Sequence, residues 1–351
     1  MNRTFTGLAA LVLLAGAVPF ACLLLPAAPV SVTGIETQPA ATAAPSPAAP
    51  TSAADEPTEI TETTADPIAA LAAAPVYLYD EAAGAVAEVA ARDFLIGAAA
   101  CEMPPDWPDD ALCAQMVASH SYALYCRDHG GSDEAGWLTV NSALGSGWTD
   151  EAALRARWGK DFDEHYARFE ALADEVAGSL LLYDGAPALA CYHAISNGRT
   201  EASEALWPEA LPYLAGVDSA WDREADGFEV TIQLSAQQMA DALAALGATP
   251  EGEPEDWVGG SRWDKAGYVE SIELGGVSVR GCDLRAALGL RSACFAIAWR
   301  GGQFVITTRG YGHGIGLSQA GARSMAAGGA NWREILEYYF PGAEIVGWIR
   351  S

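Results

Sequence analysis

Residues 309 to 321 read Arg-Gly-Tyr-Gly-His-Gly-Ile-Gly-Leu-Ser-Gln-Ala-Gly, with glycine at 310, 312, 314 and 316 in strict alternation. This pattern constrains the chain more than any apolar run does. In an extended segment these glycines fall on one face, and Tyr311, His313 and Ile315 on the other. A face without side chains admits another backbone, or a sugar, to close range. The segment is not the dinucleotide fingerprint, which needs G-x-G-x-x-G between a strand and a helix. His313 has two readings here: a group that binds substrate or moves a proton, and a core histidine bonded to backbone.

The other end of the chain is constrained by hydropathy. Residues Leu8 to Leu25 are apolar and uncharged, Arg3 precedes them and Pro26 closes the run. Eighteen helical residues span about 27 Å, close to the ~30 Å of a hydrocarbon core. The expectation is an uncleaved anchor over 1–26, with the alternatives of a cleaved leader or a lipid-modified Cys22. The positive charge before the run directs the bulk of the chain out of the cytoplasm, as a single-pass cell-membrane protein. Residues 27–75 are expected to be a disordered tether, because Ala, Pro, Thr, Ser and Glu dominate up to about Pro67 without helical or strand period.

The chain has 46 acids against 19 Lys and Arg, a net charge of -27. Such a surface excludes nucleic acid as a partner and argues against a basic patch on anionic lipid. A glycan remains open. Six cysteines lie beyond the anchor (Cys101, Cys113, Cys126, Cys191, Cys282, Cys294) without C-x-x-C spacing. They are expected to be mainly buried thiols, with room for one bridge. Cys126 and His129 are three apart, a weak zinc spacing.

The folded domain is expected over 76–351, with 226–270 a candidate inserted lobe. A strand is predicted over 76–79, and helices over 91–100, 111–127 and 161–177. Hairpins are predicted through Asp184-Gly185 (180–183 with 188–193), Gly275-Gly276 and Gly301-Gly302. A strand and helix follow over 228–247, and two helices close the chain near 317–327 and 332–339. Strands in hairpins mixed with helices give an α+β class, helices packed on antiparallel hairpins.

Three places offer chemistry. Glu102 precedes Pro104-Pro105 with Trp107 nearby, and a carboxyl in a partly apolar cleft can act as a general acid. Its bland reading is one solvated acid among many. The polar run Tyr192, His193, Ser196, Asn197, Gly198, Arg199, Thr200, Glu201 follows a predicted strand and suits a binding rim. Cys191 beside His193 permits a thiol nucleophile, although no thiol-protease signature surrounds it.

Taken in order, three segments resemble one family. Residues 101 to 124, Cys-Glu-Met-Pro-Pro-Asp-Trp-Pro-Asp-Asp-Ala-Leu-Cys-Ala-Gln-Met-Val-Ala-Ser-His-Ser-Tyr-Ala-Leu, are similar to its E-M-P…E-A-L-K-A-Q-A-V-A-A-R-T-Y-A motif. Residues 192 to 222 resemble its S-x-G-x-T-E-x-S-E…L-P-Y-L segment, and 310 to 342 its G-x-G-H-G-x-G-x-S-Q-x-G-A…Y-Y-P-G ending. The family is the stage II sporulation protein D family of peptidoglycan lytic transglycosylases, with its related amidase enhancers. The resemblance implies that one acid, here Glu102, protonates the leaving oxygen between N-acetylmuramic acid and N-acetylglucosamine. It then takes the proton of the muramic C6 hydroxyl as the 1,6-anhydro ring closes. It further implies glycan contacts at His120, Tyr122, Tyr192, Ser196, Gly198, Thr200, Glu201, His313, Ser318 and Gln319. No cofactor is implied. The implied partners are glycan strands, a cell-wall amidase that strips peptides, and membrane proteins of the sporulating mother cell.

This chain departs from the motif at Cys113 for lysine, Asp110 for glutamate and His120 for arginine. His120 can replace an arginine only as a cation or as a neutral hydrogen-bond partner. Some members carry a Cys/His zinc site after the motif helix; residues 130 to 160 here contain neither residue type, so no metal is expected. Two further readings stand beside the transglycosylase: a non-catalytic glycan module that stimulates an amidase, and a thiol hydrolase using Cys191. A chelator is expected to leave activity unchanged under all three, and an alkylating reagent to abolish it only under the thiol reading; both are read in one glycan-release assay.

Overall fold

The computed structural model describes residues 66–129, 138–143, 146–207 and 210–347. The predicted anchor and most of the tether lie outside them. Among the described residues no helix is long and apolar enough to cross a membrane.

The helices are α1 Pro67–Ala73, α2 Ala91–Glu102, α3 Asp109–His129, α4 Glu151–Trp158, α5 Phe162–Val176, α6 Ala236–Ala245, α7 Gly281–Leu288, α8 Gln319–Ala327 and α9 Trp332–Tyr339. α1 falls in the stretch assigned to the tether. Asp66 caps it, Pro67 occupies its first turn, and Ile68 and Leu71 pack on a small cluster of Leu124, Leu180 and Leu182. Two apolar anchors beside a good cap are enough once a surface exists to receive them.

α3 is the axis of the first core. Asp109 and Asp110 open it, and Arg127 and His129 close it, the charge order that the helix dipole favours. Its Leu112, Met116 and Val117 are fully buried, as are Phe94 of α2 and Phe169 of α5. Each such side chain contributes ~1.5–3 kcal/mol relative to exposure. α2, α5, α8 and α9 surround α3, so the helix is buried on all sides and carries Gln115, Ser119, His120 and Ser121 inside as well.

The strands form small sheets, mostly antiparallel. Val76–Asp80 pairs with Ala85–Val89. The turn at Asp184-Gly185 has φ of 50° and 77° and joins Leu180–Tyr183 to Ala186–Pro187. The second strand of this hairpin, predicted over 188–193, lies instead at Ala186–Pro187, and beyond it Ala188 N–H still donates to Leu181 O at 2.9 Å. Tyr192–His193 pairs instead, in parallel, with Leu317–Ser318.

A second core gathers Met239, Leu243, Trp257, Ile272, Leu284, Phe295, Phe304 and Ile306. It is built on the sheet of 229–234, 303–309 and 295–300, the sheet of 258–263, 269–274 and 277–280, and helices α6 and α7. This lobe therefore continues beyond residue 270. No disulfide joins the described cysteines. The α+β class and all three predicted hairpin turns are present in the structure.

The glycine segment is not a plain extended strand. Gly310, Gly312, Gly314 and Gly316 all have positive φ, from 72° to 117°. Its bare side nevertheless receives a backbone. A Cβ on Gly312 would lie 2.6 Å from Cβ of His193, and one on Gly316 would collide with the Cys191 carbonyl oxygen. Gly316→Ala is expected to destabilise the fold by about 3 kcal/mol or more, from the φ penalty and the clash together. Gly329 has φ +95° and open space around it, so Gly329→Ala should lose about 1–2 kcal/mol. Urea unfolding of the two variants checks the difference.

Candidate active site

Glu102 is the last residue of α2, where the chain turns through buried Met103 into Pro104-Pro105. Its carboxylate Oε2 accepts from Gln319 Nε2 at 3.4 Å, and the Gly147 N–H donates to the same group. Burial outweighs both donors and pushes its pKa from 4.5 up to about 7. A carboxyl pKa raised toward neutrality suits a group that first gives and then takes a proton.

Gln319 is the first residue of α8. Its Nε2 also donates to Gln115 Oε1 at 3.2 Å, and Gln115 Nε2 donates to Ser119 Oγ at 2.9 Å. A row of amides thus leads from the α3 face to the acid. Ser318, just before Gln319, caps α8 by accepting from Gly321 N at 3.2 Å. Its hydroxyl donates to Asp222 Oδ2 at 2.6 Å, which also accepts from Ser196 N at 2.8 Å. Burial raises the Asp222 pKa.

The structure unites some of the predicted residues and separates others. Glu102 and Gln319 meet. Ser196 and Ser318 are fully buried and meet at Asp222, which holds the start of α8. Thr200 is buried, and its Oγ1 accepts from Val217 N at 2.8 Å. Gly198 has φ +106° and lies under the guanidinium of Arg223. Tyr122 and Tyr192 are buried and stack edge to face with centroids 6.5 Å apart.

His120 is buried in the core with its ring 6.1 Å from that of Phe94. Burial lowers its pKa to about 4. The ring is therefore neutral at physiological pH and cannot supply the charge of the motif arginine. The Cys191 reading fails for a related reason. His193 is buried, donates from Nδ1 to the Ile315 carbonyl at 3.1 Å, and is held at a pKa of about 3, chiefly by burial. It cannot form an imidazolium beside a thiolate, and Cys191 is itself buried.

Glu201 and His313 do come together, in a cavity of about 530 Å³ that also takes in Asp264 and Tyr268 but not Glu102. Burial and the facing Asp264 push the Glu201 pKa to about 8. His313 Nδ1 accepts from the Ile315 N–H at 3.0 Å, so Nε2 carries the proton of the neutral ring. The residues that sequence reasoning missed are Gln115 and Asp222. Both lie inside segments that resemble the family, Gln115 at the Gln of the A-Q-A-V stretch and Asp222 at the end of residues 192 to 222, and that position was their one signal.

Residues 79–183 match the family model described as Stage II sporulation protein. The chain is 31% identical over 280 residues to Stage II sporulation protein D of Bacillus subtilis, covering 78% of this chain and 80% of the relative. It is 30% identical over 273 residues to the protein of that name in Bacillus amyloliquefaciens, with 77% and 78% covered. A more distant likeness, 23% over 310 residues, is to the Amidase enhancer of Bacillus subtilis, of which it spans 39%.

The shifted Glu102 has a consequence for stability. Its folded pKa lies above the unfolded value, so the native state holds the extra proton between about pH 4.5 and 7 and stability falls across that window. Glu102→Gln lacks this loss. Relative to wild type it should gain about 2–3 kcal/mol on going from pH 4 to pH 8, measured by denaturant unfolding of both proteins at the two pH values.

Proposed function

We propose, from the premise that this chain belongs to the stage II sporulation protein D family, that it is a cell-wall lytic transglycosylase acting in sporulation, with Glu102 as its single acid and base. The observation that carries this reading is the carboxyl of half-buried Glu102, its pKa raised to about 7 and its oxygens met by Gln319 and Gly147.

In the first step protonated Glu102 gives its proton to the oxygen leaving N-acetylmuramic acid, and the glycosidic bond breaks. The carboxylate so formed accepts from Gln319 Nε2 and the Gly147 N–H. In the second step it takes the proton of the muramic C6 hydroxyl as that oxygen closes on C1. The proton count returns to its start, and the product ends in 1,6-anhydro-muramic acid without water being consumed. Residues 1–26 anchor the chain in the cell membrane and the segment up to the fold gives it reach to the wall outside. Glycan strands are the substrate. A cell-wall amidase that removes the peptides is the partner that the likeness to an amidase enhancer supports.

The test is product analysis on peptide-free glycan strands, with Glu102→Gln as control. Anhydro-muramic ends are expected from wild type and none from the variant, by mass spectrometry. The wild-type rate should fall about tenfold per unit as pH rises past about 7, because the first step needs the protonated acid. Strands that bind without being cut would replace this reading by that of a glycan module which stimulates an amidase.

A further inference from the structure

The cavity that holds Glu201 does not take in Glu102, and the cleavage reading makes no use of it. Glu201 is only 6% exposed. Its Oε1 accepts from the Ala202 N–H at 2.8 Å, while Oε2 is buried without a hydrogen-bond partner. Asp264 faces the same carboxyl, and its Oδ1 is fixed by the Tyr268 N–H at 2.9 Å. A carboxylate opposite a carboxylate brings an acceptor where a donor is needed. Burial and the facing Asp264 raise the Glu201 pKa to about 8, so near neutrality the pair keeps a proton. A cation that takes the place of this proton would serve both carboxyls.

The lining supplies no such cation. Lys265 and Arg280 belong to it, but Arg280 is engaged with Asp283 at 2.7 Å. Among the described residues no Lys, Arg or His nitrogen stands within ion-pair range of Glu201 or Asp264. Glu204 and Glu270, both exposed, add two further acids to the lining. Between the acids the walls are apolar: Ala205, Leu206 and Val269 contribute to them, and Leu206 is 37% exposed. Among the described residues no three His, Cys, Asp or Glu side chains are grouped to hold a metal ion. Carboxyls beside apolar walls suit an organic cation instead. An ammonium head has three N–H donors for carboxyl oxygens, and a methylene stem lies along apolar surface.

We propose that this cavity binds the side-chain ammonium of a lysine in a peptide segment of a partner protein, with Glu201 and Asp264 taking the charged head and Leu206 and Ala205 lying along the stem. The excess of acids in the lining attracts such a cation and disfavours a ligand that carries a carboxylate next to its amine. A chain of net charge -27 also draws a basic partner toward this face from a distance. The site is separate from Glu102 and goes beyond the reading of the chain as a glycan-cleaving protein.

The full chain in mild detergent is titrated calorimetrically, at about pH 8, with a five-residue peptide that is blocked at both ends and carries one central lysine. The comparison peptide has norleucine at that position, which keeps the stem and lacks the charge. The lysine peptide is expected to bind about tenfold more tightly. Glu201→Gln keeps the shape of the side chain and should remove that preference. Asp264→Asn keeps an oxygen for the Tyr268 N–H and should reduce the preference severalfold. Leu206→Ser should weaken both peptides alike. Thermal scans follow the folding of each variant. If Glu201→Gln melts early, Asp264→Asn and the comparison of the two peptides on the parent decide the matter. Equal affinity of the parent for the two peptides overturns the site, as does a preference that survives in both carboxyl variants. Tighter binding of free diaminopimelic acid than of the lysine peptide overturns the assignment to a protein lysine in favour of a cell-wall amino acid. Calcium chloride that binds at the pair and displaces the lysine peptide overturns the organic cation. None of these outcomes involves anhydro-muramic products, so the cleavage reading stands or falls separately.

Discussion

Two stretches of backbone, 191–196 and 310–318, lie against each other, and the placement of the acid follows from that contact. Gly312 and Gly316 permit it, because any Cβ there would occupy the space of His193 or of the Cys191 carbonyl. The pairing of Tyr192 with Leu317 and of His193 with Ser318 sets the register. Ser318 then begins α8 and is held by Asp222, which also holds Ser196. One residue later Gln319 reaches a glutamate 217 positions away in sequence. A glycine-rich segment thus determines where Glu102 finds its amide partner.

Dehydration governs the charges inside. Burial raises the pKa of Glu102 and Glu201 and lowers that of His120 and His193. All four shifts favour the neutral form, as expected where water is absent and no opposite charge replaces it. The large negative charge of the chain is therefore a property of its surface. The interior carries polar groups linked by amides and hydroxyls.

Much of the architecture was legible in the sequence because it is local. An acidic first turn and helical spacing located α3, and pairs of turn residues located three hairpins. The failures occur where distant partners decide. α1 needed a surface made by Leu124, Leu180 and Leu182. The strand expected over 188–193 is replaced by Ala186–Pro187 in the hairpin, and Tyr192–His193 finds its partner in residues 317–318. The glycine alternation correctly predicted close backbone approach but not the positive φ angles that achieve it, since alternation fixes which residues lack side chains and leaves their dihedrals to the partner surface.

The site divides in the same way. Sequence alone determined the family motifs, the identity of Glu102 as the candidate acid, and the loss of the arginine at position 120, because these are matters of residue type and order. Tertiary structure alone decided that the Glu102 pKa is raised, that Gln319 reaches it with Gln115 behind, and that Ser196, Thr200 and Ser318 are buried. Only tertiary structure sealed His120 in the core as a neutral ring and set Asp264 against Glu201. The reason is physical. A side chain's charge state and reach depend on which distant atoms displace water from it, and no local pattern in the chain carries that information.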